Sequence, residues 1–202
     1  MNRKAILRCK CLKSVKFLLV CTLAIAIAFA FAACGGENDS GGKDAGDSRD
    51  SSQSKTTITV TSDNLHDGVW DTEITHLSGG RNESPELTWN AVDGAEEYAI
   101  IMLDPDAENW MHWRVTGLKD THLDEGKTPA EGKYRGPNPP KGTHRYVVTV
   151  YALKAPADSV PGNFGGANKD AGKIREAFDT SDGETGNILC EGTLEGTVSA
   201  EQ

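Results

Sequence analysis

The chain has 202 residues, with 21 Lys and Arg against 30 Asp and Glu, which gives a formal net charge of −9. This balance argues against nucleic acid as a partner, because nucleic-acid-binding proteins neutralise phosphates with clustered Lys and Arg, and no basic stripe follows the N-terminal region. Once that region is set aside, residues 56–202 remain, a length typical of one domain with a sizeable core.

The first 33 residues have the layout of a secretory signal. Six Lys and Arg residues lie between positions 3 and 16, and residues 17–33 form an uncharged apolar run. The run ends in small residues immediately before Cys34, which resembles the lipobox of bacterial lipoproteins and implies acylation of Cys34. An uncleaved anchor is the alternative, because the run is at the short end of a membrane span. In both cases we expect a cell-membrane protein whose domain lies on the extracytoplasmic face.

Residues 34–55 are predicted to form a flexible tether that carries the lipid. After Cys34 the segment is rich in Gly, Ser and Asp and contains no large apolar residue, so it cannot bury enough surface to offset the entropy lost on ordering. Three of the five cysteines lie in the signal segment. If Cys34 is acylated, Cys190 has no intrachain disulfide partner, and we expect it to be a buried apolar residue.

The rest of the chain is dominated by strand patterns. Predicted strands cover residues 57–61, 87–89, 98–103, 111–115, 144–153 and 188–198, and only residues 169–178 look helical. The segment 98–103 is continuously apolar, as expected for a strand buried on both faces. Many strands with one or two short helices indicate a mainly β fold, a Greek-key β-sandwich.

The first candidate site segment, DPDAENWMHW, begins at Asp104, directly after the buried strand. Asp104 is expected to place its carboxylate at an edge of the sheet, since the following proline stops the strand. Alternation in the next strand predicts two faces. One face is formed by Trp110, His112 and Arg114, and the other by Met111, Trp113 and Val115.

The second candidate segment, YRGPNPPKGTHRY, covers residues 134–146. Its three prolines form a stiff wall, and Gly136 and Gly142 allow the backbone to turn or to approach a ligand closely. His144 and Tyr146 are expected to point to the same face of the following strand. A rigid loop that carries polar groups at the mouth of a sheet is a common way to build a small-ligand site.

Together these motifs, DPDA followed by W-x-H-W and then GPNPPKGTHRY leading into VYAL, resemble the phosphatidylethanolamine-binding protein family in its bacterial Raf-kinase-inhibitor-like branch. The resemblance extends from Ser84 to Gly192. It implies a β-sandwich with a small pocket for an anion such as phosphate or a phosphorylated head group. The residues to which it gives a role in the pocket are Asp104, Trp110, His112, Pro139, Pro140, His144 and Tyr146.

The chain departs from the family pattern in the loop after DPDA and in the proline-rich loop. Glu108 and Asn109 stand where relatives have proline followed by serine or threonine, and Asn138 stands where bacterial relatives commonly have cysteine. Glu108 is expected to place a carboxylate beside the anion pocket, where like charge disfavours binding. Arg114 or Arg135 could offset that charge.

These observations favour an extracytoplasmic lipoprotein with a non-enzymatic domain that binds a small anion or phosphorylated head group without a cofactor, and that could regulate a protein partner not identified by the sequence. His112 and His144 would donate hydrogen bonds to the anion, more strongly when protonated. One alternative is a protease inhibitor or surface interaction protein that acts through its loops. Another is a hydrolase with Asp104 orienting a histidine base, although no G-x-S-x-G nucleophile motif is present. A metal site at Asp104, His112 and His144 lacks supporting histidine spacing, and no metal is expected.

Overall fold

The computed structural model describes residues 57–160 and 162–200. The predicted signal segment, the lipid attachment at Cys34 and the tether lie outside the described residues. Within the described part of the chain, none of the helices is long and apolar enough to cross a membrane.

The described residues form twelve strands, one α-helix and two short 3-10 helices. The strands are β1 Val60–Thr61, β2 Leu65–His66, β3 Val69–Trp70, β4 Leu87–Trp89, β5 Glu97–Asp104, β6 Trp110–Leu118, β7 His122–Leu123, β8 Lys133–Tyr134, β9 Thr143–Leu153, β10 Thr180–Ser181, β11 Glu184–Thr185 and β12 Ile188–Ser199. The α-helix α1 is Gly172–Phe178, and the 3-10 helices are Thr72–Ile74 and Pro105–Ala107.

A seven-stranded sheet in the order β2-β3-β12-β9-β5-β6-β8 forms the centre of the domain, and β1, β4 and β7 form a second sheet. Neighbouring strands of the large sheet are antiparallel except for the β12–β3 pair, which is parallel. The long strands β5, β9 and β12 pair along most of their lengths. These pairings place the C-terminal end of β5 next to the N-terminal end of β9, which is where the candidate site lies.

The main core fills the space between the two sheets. Trp89 and Leu87 of the small sheet pack in one apolar cluster with Trp113, Val148 and other buried side chains of the large sheet. β12 contributes glycine where this packing is tightest. A Cβ atom at Gly192 would overlap the carbonyl oxygen of Ile58, and one at Gly196 would overlap the indole of Trp70. These two glycines therefore allow the N-terminal segment of the domain to lie directly on β12.

The opposite face of the large sheet is partly covered by α1. Ile174 and Phe178 are buried against Ile101 and Leu153, and the Phe178 ring lies 5.0 Å from that of Tyr151. β5 is consequently buried on both faces, as its continuous apolar sequence predicted. The mainly β sandwich is confirmed. The predicted first strand is shorter than expected, Val60–Thr61 in place of residues 57–61, and the helix begins at Gly172 in place of residue 169.

Candidate functional site

A cavity of about 350 Å³ lies where β5 ends, β6 begins and the proline-rich loop approaches β9. Its volume is at the lower end of the range found for small-ligand sites. The residues that line it are Asp104, Ala107, Trp110, His112, Arg135, Asn138 and Pro140. The two sequence segments singled out as candidates thus meet at one cavity.

Asp104 is only 2% exposed, and both of its carboxylate oxygens are engaged. Oδ1 accepts the backbone N–H groups of Asp106 and Ala107 at 2.9 and 3.1 Å, so that the carboxylate caps the short 3-10 helix. Oδ2 accepts a hydrogen bond from Nδ1 of His144 at 2.7 Å. The buried carboxylate is therefore held in place by three donors and in turn orients the imidazole of His144.

His112 reaches the cavity because β6 contains a β-bulge. Met102 pairs with Trp113, whereas Leu103 pairs with Met111, so that His112 is an extra residue without a partner in the ladder. A bulge of this kind re-aims side chains, and bulges are frequent next to functional sites. Here it turns His112 toward the cavity without displacing its neighbours.

The bulge overturns the alternation predicted for this strand. Met111 packs in the helix-side core, whereas Trp113 and Val115 pack between the sheets. Arg114 does not share a face with His112, because its guanidinium donates a hydrogen bond to the Val160 carbonyl, at 3.3 Å, in the segment that packs against the helix-side core. The prediction was wrong because strict alternation assumes a ladder without an inserted residue.

His112 is held by the backbone of Arg135 through two hydrogen bonds. The Arg135 N–H donates to the His112 carbonyl at 2.8 Å, and Nδ1 of His112 donates to the Arg135 carbonyl, also at 2.8 Å. Nδ1 must carry a hydrogen, since a carbonyl oxygen can only accept. Burial lowers the pKa of His112, against the opposing effects of the Arg135 hydrogen bond and the charge of Asp104. The ring is therefore neutral near neutral pH, with a lone pair on Nε2.

Tyr146 supports His112 from behind. The two rings are in edge-to-face contact, with their centroids 5.1 Å apart. The Tyr146 hydroxyl is fully buried and has no hydrogen-bond partner among the described residues. The Asn138 backbone and the Asp104 carboxylate are close enough to influence it, but neither meets hydrogen-bond geometry. Burial and the charge of Asp104 raise the pKa of Tyr146 well above its ordinary value, so that the group is a neutral donor.

The proline-rich loop is fixed from outside the cavity. The Pro137 carbonyl accepts the His76 N–H at 2.8 Å, and the Gly136 N–H donates to the Asn82 side chain at 2.7 Å. A Cβ atom at Gly136 would overlap the Ile74 carbonyl. Gly136 therefore allows close contact with the neighbouring backbone, and Gly142, whose φ is +64°, forms the turn before β9.

Four of the seven predicted pocket residues, Asp104, Trp110, His112 and Pro140, line the cavity directly. Pro139 is buried within the loop, and His144 and Tyr146 lie one layer behind the lining, on the same side of β9. Sequence reasoning did not include Ala107, Arg135 or Asn138 among the pocket residues. The only role that the sequence suggests for Arg135 is that its charge, or that of Arg114, offsets Glu108.

The carboxylate of Glu108, which was expected beside the pocket, does not line the cavity. Glu108 and Asn109 adopt left-handed backbone conformations, with φ of 54° and 55°. The Glu108 side chain is 63% exposed and lies 3.6 Å from the ammonium of Lys169, and it does not line the cavity. The expectation of a repulsive carboxylate at the pocket was wrong, because the left-handed turn directs the side chain toward Lys169.

The proline-rich loop and the strands that flank it are rich in basic residues. Residues 133–145 contain four Lys and Arg and no carboxylate. Arg145 forms a two-point ion pair with Asp106, and this pair lowers the pKa of Asp106 to about 2. No carboxylate of the described residues lies within ion-pair distance of Arg135. The guanidinium of Arg135 is therefore a free cation in the cavity wall. Within the described part of the chain, no three His, Cys, Asp or Glu side chains are grouped so as to hold a metal ion.

Comparison with known proteins agrees with this architecture. A UPF0098 protein of Methanothermobacter thermautotrophicus is 40% identical over 103 residues, which cover 41% of this chain and 68% of that protein. YbcL of Escherichia coli is 33% identical over 138 residues, covering 54% of this chain and 75% of YbcL. LppC of Mycobacterium tuberculosis, a candidate lipoprotein by name, is 34% identical over 133 residues. That alignment covers 58% of this chain and 62% of LppC, so this chain spans less than two thirds of LppC.

The crystal structure of YbcL, described as a new member of the mammalian PEBP family, matches with a TM-score of 0.54. The match covers 71% of this chain and 99% of YbcL at 23% identity, and it supports the fold. A family model described as phosphatidylethanolamine-binding protein matches residues 53–191, which is more than half of the chain. The chain therefore belongs to the phosphatidylethanolamine-binding protein family.

Proposed function

We propose that this protein is an extracytoplasmic lipoprotein whose domain binds a small anion, such as phosphate or a phosphorylated head group. The observation that carries the proposal is the unpaired guanidinium of Arg135 in the wall of the cavity. Arg135 is exposed, so its attraction for an oxyanion rests on charge-assisted hydrogen bonds from the guanidinium and is weakened by salt.

A further feature supports an anion as the ligand. Lys141, exposed in the same loop, forms no ion pair with the described residues and would add to the attraction of Arg135 for an anion. Trp110 and Pro140 supply apolar walls for the group that carries the anion.

The proposal of a binding protein without catalytic activity rests on how the polar groups are used. The carboxylate of Asp104 accepts three hydrogen bonds from the protein and so holds the 3-10 helix and His144 in place. His144, the base that Asp104 would orient in a hydrolase, does not line the cavity. The residues that line the cavity include no Ser, Thr or Cys that could act as a nucleophile. A hydrolase remains an alternative, and turnover of a phosphate ester would be its signature.

The lipoprotein part of the proposal is supported by the sequence around Cys34 and by the name of the relative LppC. Metabolic labelling of the expressed chain with a radioactive fatty acid tests it. We expect incorporation into the wild type and none into Cys34→Ser. Labelling of both variants, or of neither, would contradict lipidation at Cys34.

Anion binding is tested by the melting temperature of the full chain in an uncharged detergent, titrated with phosphate and O-phosphoethanolamine at about pH 6. A ligand at about 100 times its dissociation constant adds roughly 2.7 kcal/mol to the stability of the native state. We expect a dose-dependent rise that is lost in His112→Ala and His144→Ala and retained in Arg114→Gln. No rise at millimolar ligand would refute the proposal and favour a protein that acts on partners through its loops.

A further inference from the structure

We propose that the anion site selects a phosphoryl group that still carries a proton, such as the phosphate monoanion, over sulfate and other oxyanions that have no proton to donate. The inference rests on the proposed function and narrows the chemistry of its ligand. It follows from the positions of hydrogen-bond donors and acceptors around the cavity.

The acceptor is Nε2 of His112. The Arg135 carbonyl occupies Nδ1 and requires the hydrogen to be on that atom. No contact of Nε2 with the described residues meets hydrogen-bond geometry, although the Gly136 backbone lies close enough to the ring to favour its protonation. Unlike the Tyr146 hydroxyl, Nε2 is not among the fully buried polar atoms that lack a partner. Because His112 itself is only 6% exposed and lines the cavity, Nε2 presents its lone pair to the ligand space.

The donor is the guanidinium of Arg135. This group carries only N–H donors, and its planar fork suits two oxygens of one oxyanion. The same residue provides the carbonyl that fixes the tautomer of His112. Arg135 thus supplies the donor through its side chain and fixes the acceptor of His112 through its backbone carbonyl.

A ligand that satisfies both groups must offer acceptor oxygens to Arg135 and a hydrogen to His112. The phosphate monoanion and monoprotonated phosphate esters have both features, whereas sulfate, sulfonates and ionised carboxylates lack the hydrogen. With sulfate in the cavity, the Nε2 lone pair would face an oxygen lone pair, or the buried ring would have to take up a proton. Both outcomes are unfavourable.

Net charge alone would give the opposite preference. Sulfate carries two negative charges and the phosphate monoanion carries one, so Arg135 by itself would favour sulfate. The other titratable groups that face His112 are Asp104 from β5 and Tyr146 from β9, with His144 reaching it through Asp104. The charge of Asp104 favours protonation of His112, whereas burial and Arg135 oppose it. A preference for phosphate over sulfate would therefore indicate that the imidazole of His112 is neutral.

The test is calorimetric titration of the full chain in an uncharged detergent at about pH 7 with two matched pairs of anions, phosphate with sulfate and methylphosphonate with methanesulfonate. We expect the phosphorus compound of each pair to bind at least about tenfold more tightly. His112→Asn keeps a donor for the Arg135 carbonyl but lacks the ring acceptor, and it should bring the ratio close to one. Arg135→Gln should weaken both compounds and preserve the ratio.

Arg114→Gln is the matched control, since Arg114 contacts the Val160 carbonyl on the other side of the sheet and should leave both affinities unchanged. Equal binding of the two compounds by the wild type would overturn the inference while leaving the anion site intact. Failure of the wild type to bind any of the four anions would instead overturn the proposed function. The two pairs of anions test the selectivity of the wild type even if His112→Asn does not fold. A ratio that is unchanged in folded His112→Asn would show that His112 is not the selecting group.

Discussion

Asp104 and His144 are 40 positions apart in the sequence, yet the carboxylate of Asp104 accepts a hydrogen bond from the imidazole of His144 at 2.7 Å. The contact exists because β5 and β9 are antiparallel neighbours, so that the end of the first strand meets the start of the second. It links the aspartate that caps a 3-10 helix in the cavity wall to a histidine one layer behind the lining. The geometry of the site thus depends on the pairing of two central strands.

Replacement of Asp104 by asparagine should destabilise the domain strongly. The amide oxygen can still accept both backbone N–H groups, but the NH₂ group then takes the place of Oδ2, so His144 must change tautomer and the charge-assisted hydrogen bonds are lost. We expect a loss of about 2–3 kcal/mol in the free energy of unfolding, measured by urea denaturation. Asp106→Asn is the control, because the Asp106 carboxylate is exposed and should contribute much less. Equal losses in the two variants would contradict the structure.

His112 should make stability depend on pH in a defined direction. Its folded-state pKa lies below the ordinary value of 6.5, so the unfolded chain binds more protons at mildly acidic pH. The stability that the neutral ring provides is therefore present above about pH 6.5 and decreases as the pH falls toward the folded-state pKa. The free energy of unfolding should fall less steeply between about pH 7 and pH 5 in His112→Asn than in the wild type.

The pH dependence of the wild type must be compared with that of His112→Asn, because His122 changes the free energy of unfolding with pH in the opposite direction. Asp124 raises the pKa of His122, so its contribution is present at low pH and decreases as the pH rises through the folded-state value. Identical slopes for the wild type and His112→Asn would show that His112 is not held in its neutral form by burial.

The ion pair between Asp106 and Arg145 should be visible in the titration of its carboxylate. Hydrogen bonds from the side chain and backbone of Arg145 lower the pKa of Asp106 to about 2 from 3.8. The stabilising effect is therefore fully present above about pH 4 and is lost as the pH falls toward 2. Arg145→Gln should move the midpoint, followed by carboxyl NMR chemical shifts, toward 3.8. An unchanged midpoint would show that the pair does not persist in solution.

Gly136→Ala should disturb the proline-rich loop more than Gly142→Ala. A methyl group at Gly136 would overlap the Ile74 carbonyl, whereas at Gly142 no atom lies within 4 Å of the added carbon. We expect a loss of about 1–3 kcal/mol for Gly136→Ala and about 1 kcal/mol for Gly142→Ala, where only the left-handed conformation is unfavourable. Urea denaturation measures both. The reverse order would indicate that the loop is not fixed by the segment around Ile74.

The sequence predicted the long elements because each has enough residues to display a pattern. β5, β9 and β12 contain 8, 11 and 12 residues, and their apolar runs or alternation are evident. Six strands that contain only two residues each escaped prediction: β2, β3, β7, β8, β10 and β11. Two residues cannot show a period, and these strands exist because longer neighbours provide hydrogen-bond partners.

Within the site, the residues that reasoning from sequence missed are those placed by distant parts of the chain. The orientation of Arg135 depends on a loop that is fixed by Pro137, whose carbonyl contacts His76, and by Gly136, which packs on Ile74. Nothing in the order of residues near position 135 specifies those contacts. The sequence feature that could have identified Arg135 is the position of a charged residue within a loop that its prolines make stiff.

The bulge at His112 separates the ligand site from the architecture of the sheet. Without that single residue, Met111 and Trp113 would still face Leu103 and Met102 in a ladder that is regular at this point, with both cores on their present sides. A chain that lacked the insertion would keep the pairing of β5 with β6 but would lose the nitrogen that faces the cavity and both hydrogen bonds between His112 and Arg135. Loss of the bulge would thus remove the ligand site and release the loop that carries Arg135 from β6.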